Sequence, residues 1–308
     1  MNCWADRMSA TTLSLDLPAD YRISDLSAFH RRDPQQIGER WTEHGAAGIT
    51  LDKAFCLNGQ HVRLSLQFVP GQVHATVDDI APFQTVDRLT TLISRLLGLD
   101  QPVAEFAARF AAHPVLGPLL RERPGLRVPQ TATPFEALTW AITGQQISVA
   151  AAVALRRKLI LAAALPVGDL WAYPDADAVL GMREAGLRAA GFSGSKTRCL
   201  LAVAEAVQSG ALPLDDWRDT RPVEAMREML LAVPGIGPWT VNYTLLRGYG
   251  WLDGALHGDA AVRRALQALL GSNGPLSAAT VERWLADCCP FRALVAAHLW
   301  ASGGVLAA

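Results

Sequence analysis

The sequence predicts an α+β protein in which a small antiparallel α/β domain precedes a larger, mostly α-helical region. Before about residue 83, apolar and polar residues alternate with the period of half-buried strands, most clearly over residues 61–69. From about residue 86 onward, apolar residues recur at helical spacing instead. We therefore predict a tail over residues 1–12, the α/β domain over residues 13–85 and the helical region over residues 86–308.

Glycine marks the turns of the predicted sheet. Asn58-Gly59 and Pro70-Gly71 are typical of tight hairpins, and each pair separates two alternating stretches. Residues 24–36 have the pattern of a helix that covers one face of the sheet. The predicted strands are residues 13–17, 48–57, 61–69 and 72–77.

The helical region contains a proline-punctuated link over residues 124–134. It shows neither an internal repeat nor a low-complexity segment. The predicted helices are residues 87–97, 103–112, 115–121, 135–143, 148–164, 176–180, 182–190, 195–209, 223–232, 238–248, 259–270, 277–287 and 291–301.

Composition limits the class of protein more than its function. The chain has 308 residues, of which 50% are hydrophobic, so it can bury a sizeable core. No apolar run approaches the ~20 residues of a membrane span. The N-terminus lacks a signal pattern, so we expect a cytoplasmic protein without a membrane partner. The net charge of −1 gives no electrostatic support for a nucleic-acid partner.

The predicted function depends on one stretch, Val-Pro-Gly-Ile-Gly-Pro-Trp-Thr at residues 233–240. Predicted helices lie on both sides of it. Gly235 and Gly237 allow a tight turn that leaves backbone N–H groups bare at the positive end of the second helix, and such groups bind phosphate. A plain helix–helix turn is the alternative, because Pro-Gly is common in turns.

Asp259, twenty residues after Trp239, is the candidate catalytic carboxylate. Asp is a favoured N-cap, and the apolar residues that follow predict a helix. A helix N-terminus favours the ionised form of a carboxylate. An ordinary cap is the alternative. The competing carboxylates are Asp253, in a predicted loop, and Glu228, on the first hairpin helix.

The PGIG hairpin, the tryptophan two residues later and the spaced Asp resemble the helix-hairpin-helix DNA glycosylases, the HhH-GPD superfamily. Residues 13–85 resemble the N-terminal domain of the 3-methyladenine DNA glycosylase II (AlkA) type. The resemblance implies two helical subdomains, residues 128–251 and residues 86–127 plus 252–308. It also implies an active-site cleft between them.

The resemblance implies a monomeric enzyme of base excision repair that removes alkylated purines, such as 3-methyladenine and 7-methylguanine, from double-stranded DNA. We expect it to be associated with the bacterial nucleoid when it is bound to DNA. Positive charge develops on the sugar as the base leaves, and a carboxylate at Asp259 stabilises that charge and can orient or deprotonate water. Members that also cleave the strand have a lysine where this chain has Trp239, because a Schiff base requires an amine. We therefore expect a monofunctional enzyme that leaves an abasic site.

Several aromatic residues match the base pocket of the AlkA type. Trp239 and Tyr243 share a helix face, since they are four residues apart. Stacked rings suit a flipped-out base, and their electron-rich faces attract the positive charge of an N-alkylated purine. Core packing is the alternative for each ring. The candidate pocket residues are Trp239, Tyr243, Trp300, Phe135 and Trp140.

Gly144-Gln145-Gln146-Ile147 resembles the loop from which one side chain wedges into the vacated base stack. Either Gln146 or Ile147 is the wedge. The alternative is a capped helix start with surface glutamines. The residues expected to contact DNA are Gln145, Gln146, Ile147, Gly235, Gly237 and Thr240.

No cofactor is expected to be required. In the resembling family, carbonyls beside the hairpin hold a monovalent cation, here Na⁺ or K⁺. The matching carbonyls are those of Leu231, Val233 and Ile236. Some relatives carry a four-cysteine iron–sulfur cluster after the catalytic Asp; only Cys288 and Cys289 follow Asp259, so no cluster is expected.

Two other functions stay open on the sequence alone. A non-catalytic helix-hairpin-helix DNA-binding protein would bind DNA without the carboxylate of Asp259 and release no base. A glycosylase/lyase for oxidised bases would form a covalent adduct that borohydride traps, and Trp239 at the lysine position argues against it.

Overall fold

The structure is a computed structural model that describes residues 10–220 and 222–303. It confirms the predicted α+β fold, with an antiparallel sheet followed by a helical region. Most of the predicted tail, residues 1–12, lies outside the described residues, as do residues 304–308. Thr11 and Thr12, which the prediction assigned to the tail, begin the first strand.

The N-terminal sheet contains all the predicted strands. Its strands are β1 (Thr11–Asp16), β2 (Glu39–Glu43), β3 (Ile49–Leu57), β4 (Gln60–Val69) and β5 (Gln72–Val77). They are antiparallel in the order β1-β5-β4-β3-β2. Asn58 and Gly59 have φ values of 51° and 71°, as a tight hairpin between β3 and β4 requires.

Three short strands were not predicted. Trp41 is the only buried residue of β2, so this strand shows no alternation of apolar and polar residues. The small hairpin of β6 (Pro166–Val167) and β7 (Leu170–Trp171) is too short to show any period.

The helices carry the rest of the fold. Within the described ranges they are α1 (Ile23–His30), α2 (Val86–Leu97), α3 (Val103–Phe110), α4 (Leu116–Glu122), α5 (Pro134–Gly144), α6 (Val149–Ala163), α7 (Ala176–Ala189), α8 (Gly194–Gln208), α9 (Trp217–Thr220), α10 (Val223–Leu231), α11 (Pro238–Tyr249), α12 (Ala260–Leu269), α13 (Ala278–Ala286) and α14 (Arg292–Ser302). None of these helices is both long enough and apolar enough to cross a bilayer.

The predicted helix over residues 24–36 is wrong at its C-terminal end, because α1 ends at His30. Asp33 precedes Pro34, and the proline ring disfavours helical backbone at the residue before it. The carboxylate of Asp33 accepts a hydrogen bond from the N–H of Gln35 at 3.0 Å, which fixes a turn instead.

Two more differences lie in the helical region. The predicted helices over residues 176–180 and 182–190 join in α7, with a kink at Arg183, where φ is +56°. Helix α9 was not predicted, because four residues are too few to show a helical period.

Among the described residues, two large hydrophobic cores hold these elements together. The first joins the sheet to α2, α5 and α8, and the second lies between α3, α4 and the helices α12 to α14. Helix α11 contributes Val241 and Leu245 to the first core, and Tyr243 and Leu246 to the second. The junction between the cores therefore follows α11.

Helix α2 packs with the sheet. Leu96 and Leu97 lie beside Leu51 and Leu64 of the sheet. The predicted division grouped residues 86–127 in one helical subdomain, whereas α2 belongs to the first core and α3 and α4 to the second.

Candidate active site

The hairpin is formed by α10 and α11 with a turn at Gly235. Gly235 has a φ of +93°, a left-handed conformation that glycine adopts without strain. A Cβ at this position would lie 3.2 Å from the Sγ of Cys199, so the packing of α8 also favours glycine. Gly237 is the N-cap of α11 and has no side chain to bind the first N–H groups of the helix. Those groups are available to an anion.

Asp259 is the N-cap of α12, and its carboxylate is held from two directions. Oδ1 accepts hydrogen bonds from the backbone N–H groups of Ala261 at 2.8 Å and Val262 at 3.0 Å. The indole Nε1 of Trp239 donates to Oδ2 at 3.0 Å, and the indole Nε1 of Trp300 donates to Oδ1 at 3.2 Å. The helix start and two aromatic side chains together fix the orientation of the carboxylate.

The rings beside Asp259 form a continuous wall. Trp239 and Tyr243 stack with their centroids 5.2 Å apart, and Tyr243 lies 6.3 Å from Trp300 at a tilt of 54°. The indole Nε1 of Trp140 donates to the hydroxyl of Tyr243 at 2.8 Å. Helices α5, α11 and α14 thus contribute to one aromatic surface.

This surface lines a cavity of about 740 Å³ at the junction of the two cores. Asp259 and residues 144–149 form other parts of its wall. Three arginines that were not predicted from the sequence also line it: Arg32, Arg247 and Arg264. Arg247 had a usable signal, because it follows Tyr243 by four residues on the same helix face. Arg32 belongs to the N-terminal domain, and no local pattern connects it with the hairpin.

The prediction that Phe135 lines the base pocket is not met, because its side chain does not line this cavity. Its side chain belongs to the first hydrophobic core. Phe135 and Trp140 are five residues apart on α5, which places them on different faces of the helix. Of these two residues, only Trp140 lines the cavity.

The loop after α5 joins the cavity to the hairpin. The side-chain Nε2 of Gln145 donates to the carbonyl oxygen of Gly235 and to the hydroxyl of Thr240, both at 3.0 Å. Gln146 has a φ of +59° and is exposed, and the side chain of Ile147 is 40% exposed. The amide of Gln145 is therefore engaged by the hairpin, whereas Gln146 and Ile147 face outward.

These features indicate the class of DNA base-excision enzymes built on the helix-hairpin-helix motif. The hairpin has N–H groups available to an anion, and the carboxylate that caps the next helix lies in an aromatic cavity. Comparison of the sequence with family models agrees. Residues 12–133 match the AlkA N-terminal domain, and residues 139–290 match the HhH-GPD superfamily base excision DNA repair protein. The chain belongs to the HhH-GPD superfamily of DNA glycosylases, which hydrolyse N-glycosidic bonds, and carries an AlkA N-terminal domain.

The chain is similar to several curated proteins. It is 28% identical over 233 residues to DNA-3-methyladenine glycosylase 2 of Escherichia coli K12, a match that covers 71% of this chain and 79% of that protein. It is also 28% identical over 249 residues to the probable bifunctional transcriptional activator/DNA repair enzyme AlkA of Mycobacterium tuberculosis H37Rv. That match covers 77% of this chain and 47% of the longer protein.

Solved structures share the fold. The 3-methyladenine DNA-glycosylase from Archaeoglobus fulgidus has a TM-score of 0.79 at 19% identity, covering 94% of this chain and 98% of that one. The 8-oxoguanine glycosylase/lyase of Clostridium acetobutylicum in complex with DNA has a TM-score of 0.68 at 14% identity, covering 93% and 92%. The fold alone therefore does not separate hydrolases from lyases.

Proposed function

We propose that the protein is a monofunctional DNA glycosylase that excises alkylated purines, such as 3-methyladenine and 7-methylguanine, from double-stranded DNA. It acts as a monomer and leaves an abasic site. The observation that carries this proposal is the carboxylate of Asp259, held by the indoles of Trp239 and Trp300 at the wall of the cavity. The names of the curated relatives, DNA-3-methyladenine glycosylases, support the substrate class.

Asp259 acts mainly through its charge. As the base leaves, the sugar acquires the positive charge of an oxocarbenium-like transition state, which a fixed anion stabilises. N–H donors from Ala261, Val262 and both indoles occupy much of the carboxylate's capacity to accept hydrogen bonds. The same donors keep it in position before the reaction, so no reorganisation is needed as charge develops.

The aromatic wall binds the base. A flipped base that enters between Trp239, Tyr243 and Trp300 gains stacking contacts, and the ring faces attract a positively charged N-alkylated purine. Alkylation also makes the base a better leaving group. One carboxylate is then sufficient, and the cavity needs no general acid directed at the base.

The positions of the lysines support hydrolysis over strand cleavage. Trp239 occupies the position at which lyases have their nucleophile. Among the described residues no lysine lines the cavity. The Nζ of Lys53 is paired with Glu136 at 2.9 Å inside the protein, and the Nζ of Lys196 donates to the carbonyl oxygen of Thr143 at 2.7 Å.

DNA contacts follow from the hairpin and from the neighbouring loop. The N–H groups at the start of α11, beside Gly235 and Gly237, bind a backbone phosphate. Ile147 or Gln146 fills the space that the flipped nucleotide leaves, since both are exposed at the edge of the cavity. Gln145 and Thr240 support this surface from inside through their mutual hydrogen bond.

The proposal includes a monovalent cation, Na⁺ or K⁺, held at the hairpin by backbone carbonyls. The carbonyl of Leu231 lies in the last turn of α10, and Pro234, three residues later, has no N–H to bind it. The carbonyl of Val233 accepts one hydrogen bond, from the N–H of Ile236 at 3.1 Å, and keeps a second lone pair. These carbonyls and that of Ile236 are hard oxygen donors. A bound cation would add positive charge where the phosphate lies.

The test is release of free methylpurines from methylated duplex DNA, with strand breaks scored before and after heating. We expect released bases, heat-labile abasic sites and no trapped adduct with borohydride. Direct strand breaks with a trapped adduct would identify a lyase. DNA binding without any released base would identify a non-catalytic binding protein.

A further inference from the structure

One face of α11 leads from Asp259 into the interior. Trp239, Tyr243 and Arg247 follow one another at intervals of four residues, so each lies about 6 Å further along the helix. Trp239 is partly exposed, Tyr243 is 6% exposed and Arg247 is 2% exposed. Because burial increases along this face, Arg247 marks the deep end of the cavity that it lines.

Arg247 is a buried cation without an acidic partner. Its Nη1 donates to the carbonyl oxygen of Pro129 at 2.7 Å, while its buried Nε has no hydrogen-bond partner. The guanidinium lies 4.4 Å from the ring centroid of Phe29 and 5.8 Å from that of Trp300. Burial lowers the pKa of Arg247 to about 10. Within the described chain no carboxylate lies at ion-pair distance from it.

Arg32 of the N-terminal domain completes this end of the cavity. Its guanidinium lies 4.9 Å from the centroid of the same Phe29 ring, and its Nε is also buried without a hydrogen-bond partner. It lines the same cavity as Arg247. Two like charges on one ring repel each other, so an acceptor that enters the cavity would stabilise both.

We infer that Arg32 and Arg247 form a binding site for a carbonyl oxygen of the flipped base, and that this site favours 6-oxopurines over 6-aminopurines. The inference rests on the proposed function and specifies its substrate class. A purine whose glycosidic nitrogen is near Asp259 enters with its six-membered ring foremost, so its 6-substituent faces the arginines. A 6-oxo group accepts a guanidinium hydrogen bond, whereas a 6-amino group only donates and meets two donors.

The change in the ratio of 7-methylguanine to 3-methyladenine release between the wild type and an arginine variant tests this effect, because the other differences between the two bases are the same for both proteins. Both lesions arise in one preparation of methylated DNA, and methylation gives both bases positive charge. Repulsion by the arginines therefore applies to both. The oxygen in place of the amino group is the difference that the proposed site recognises, and a charge-assisted hydrogen bond corresponds to about a tenfold preference.

The experiment measures the ratio of single-turnover release rates, 7-methylguanine over 3-methyladenine, on one batch of methylated duplex DNA. Arg32→Met keeps the apolar stem but removes the donor, and we expect the ratio to fall about tenfold. Arg32→Lys restores a cationic donor and should recover part of the ratio. Arg264→Met, which removes an exposed arginine from the same cavity, is the matched control and should leave the ratio unchanged.

A second measurement does not depend on catalysis. Quenching of tryptophan fluorescence by free hypoxanthine and by free adenine compares two neutral purines, one with a 6-oxo group and N1–H and the other with a 6-amino group and an unprotonated N1. We expect the wild type to bind hypoxanthine at least about tenfold more tightly, and Arg247→Met and Arg32→Met to lose that preference. An unchanged ratio in Arg32→Met, or equal binding of the two bases by the wild type, would overturn the inference. Absence of any base release by the wild type would overturn the proposed function instead.

Discussion

The indole Nε1 of Trp239 donates to Oδ2 of Asp259 at 3.0 Å, so the side chain that stacks on Tyr243 in the cavity wall also orients the carboxylate. Trp300 repeats this arrangement from α14 on the other oxygen. The side chains that form the base-binding surface therefore also hold the carboxylate in position. Substitutions in the wall should affect the rate of bond cleavage as well as the affinity for the base.

The first prediction concerns this hydrogen bond. Trp239→Phe keeps an aromatic ring but removes the N–H, and we expect the single-turnover excision rate to fall about tenfold or more, the size of a hydrogen bond to a charged group. Trp140→Phe is the matched control, because the indole of Trp140 donates to Tyr243 and not to Asp259. Equal losses in the two variants would show that the rings act only by stacking.

The side chain of Gln145 connects the loop after α5 to the hairpin. Gln145→Leu removes both hydrogen bonds to the hairpin, so the loop that carries Ile147 should lose its position, and excision should slow by about tenfold. Fluorescence of 2-aminopurine beside the lesion would report the slower flipping. Affinity for an abasic duplex should change little. A parallel loss of affinity and flipping would mean that Gln145 contacts DNA directly.

Alanine substitutions at the two hairpin glycines should differ in their effect on the stability of the protein. Gly235→Ala forces a side chain into φ +93° beside Cys199, and we expect the free energy of unfolding to fall by about 1–3 kcal/mol. Gly237 has a φ of −108°, and no atom lies within 4 Å of the place that a Cβ would take, so Gly237→Ala should be tolerated. Urea denaturation of both variants checks this. Equal stabilities would show that the turn relaxes around the new side chain.

The burial of His298 should make the stability of the protein depend on pH. Burial and the charges of Arg123 and Arg22 lower its pKa from 6.5 to about 4. The unfolded chain therefore binds the proton first, and stability is lost as the pH falls from about 6.5 to about 4, by about 3 kcal/mol in total. His298→Leu should remove this part of the acid sensitivity, measured by urea denaturation at pH 7 and pH 4.5. His61→Leu, on the exposed part of β4, should retain it.

The hairpin and the carboxylate could be predicted from the sequence because both depend on local signals. Glycines at fixed spacing set the turn, and Asp259 is followed by a helical pattern that it caps. Helix α1 was predicted too long because a helical period does not register Pro34 as a stop. Arg32 could not be predicted as a cavity residue, since its place depends on how the N-terminal domain packs against α11. Long-range packing of this kind leaves no periodic signal.

The role of Asp259 is tested most directly by single-turnover release of methylpurines from duplex DNA by Asp259→Asn. Asn keeps the N-cap and the shape of the side chain but removes the charge. We predict a folded variant that is at least about 100-fold slower than the wild type. Asp253→Asn, which removes a carboxylate paired with Arg292 in the same segment, should retain most of the activity. Wild-type rates in Asp259→Asn would contradict the account.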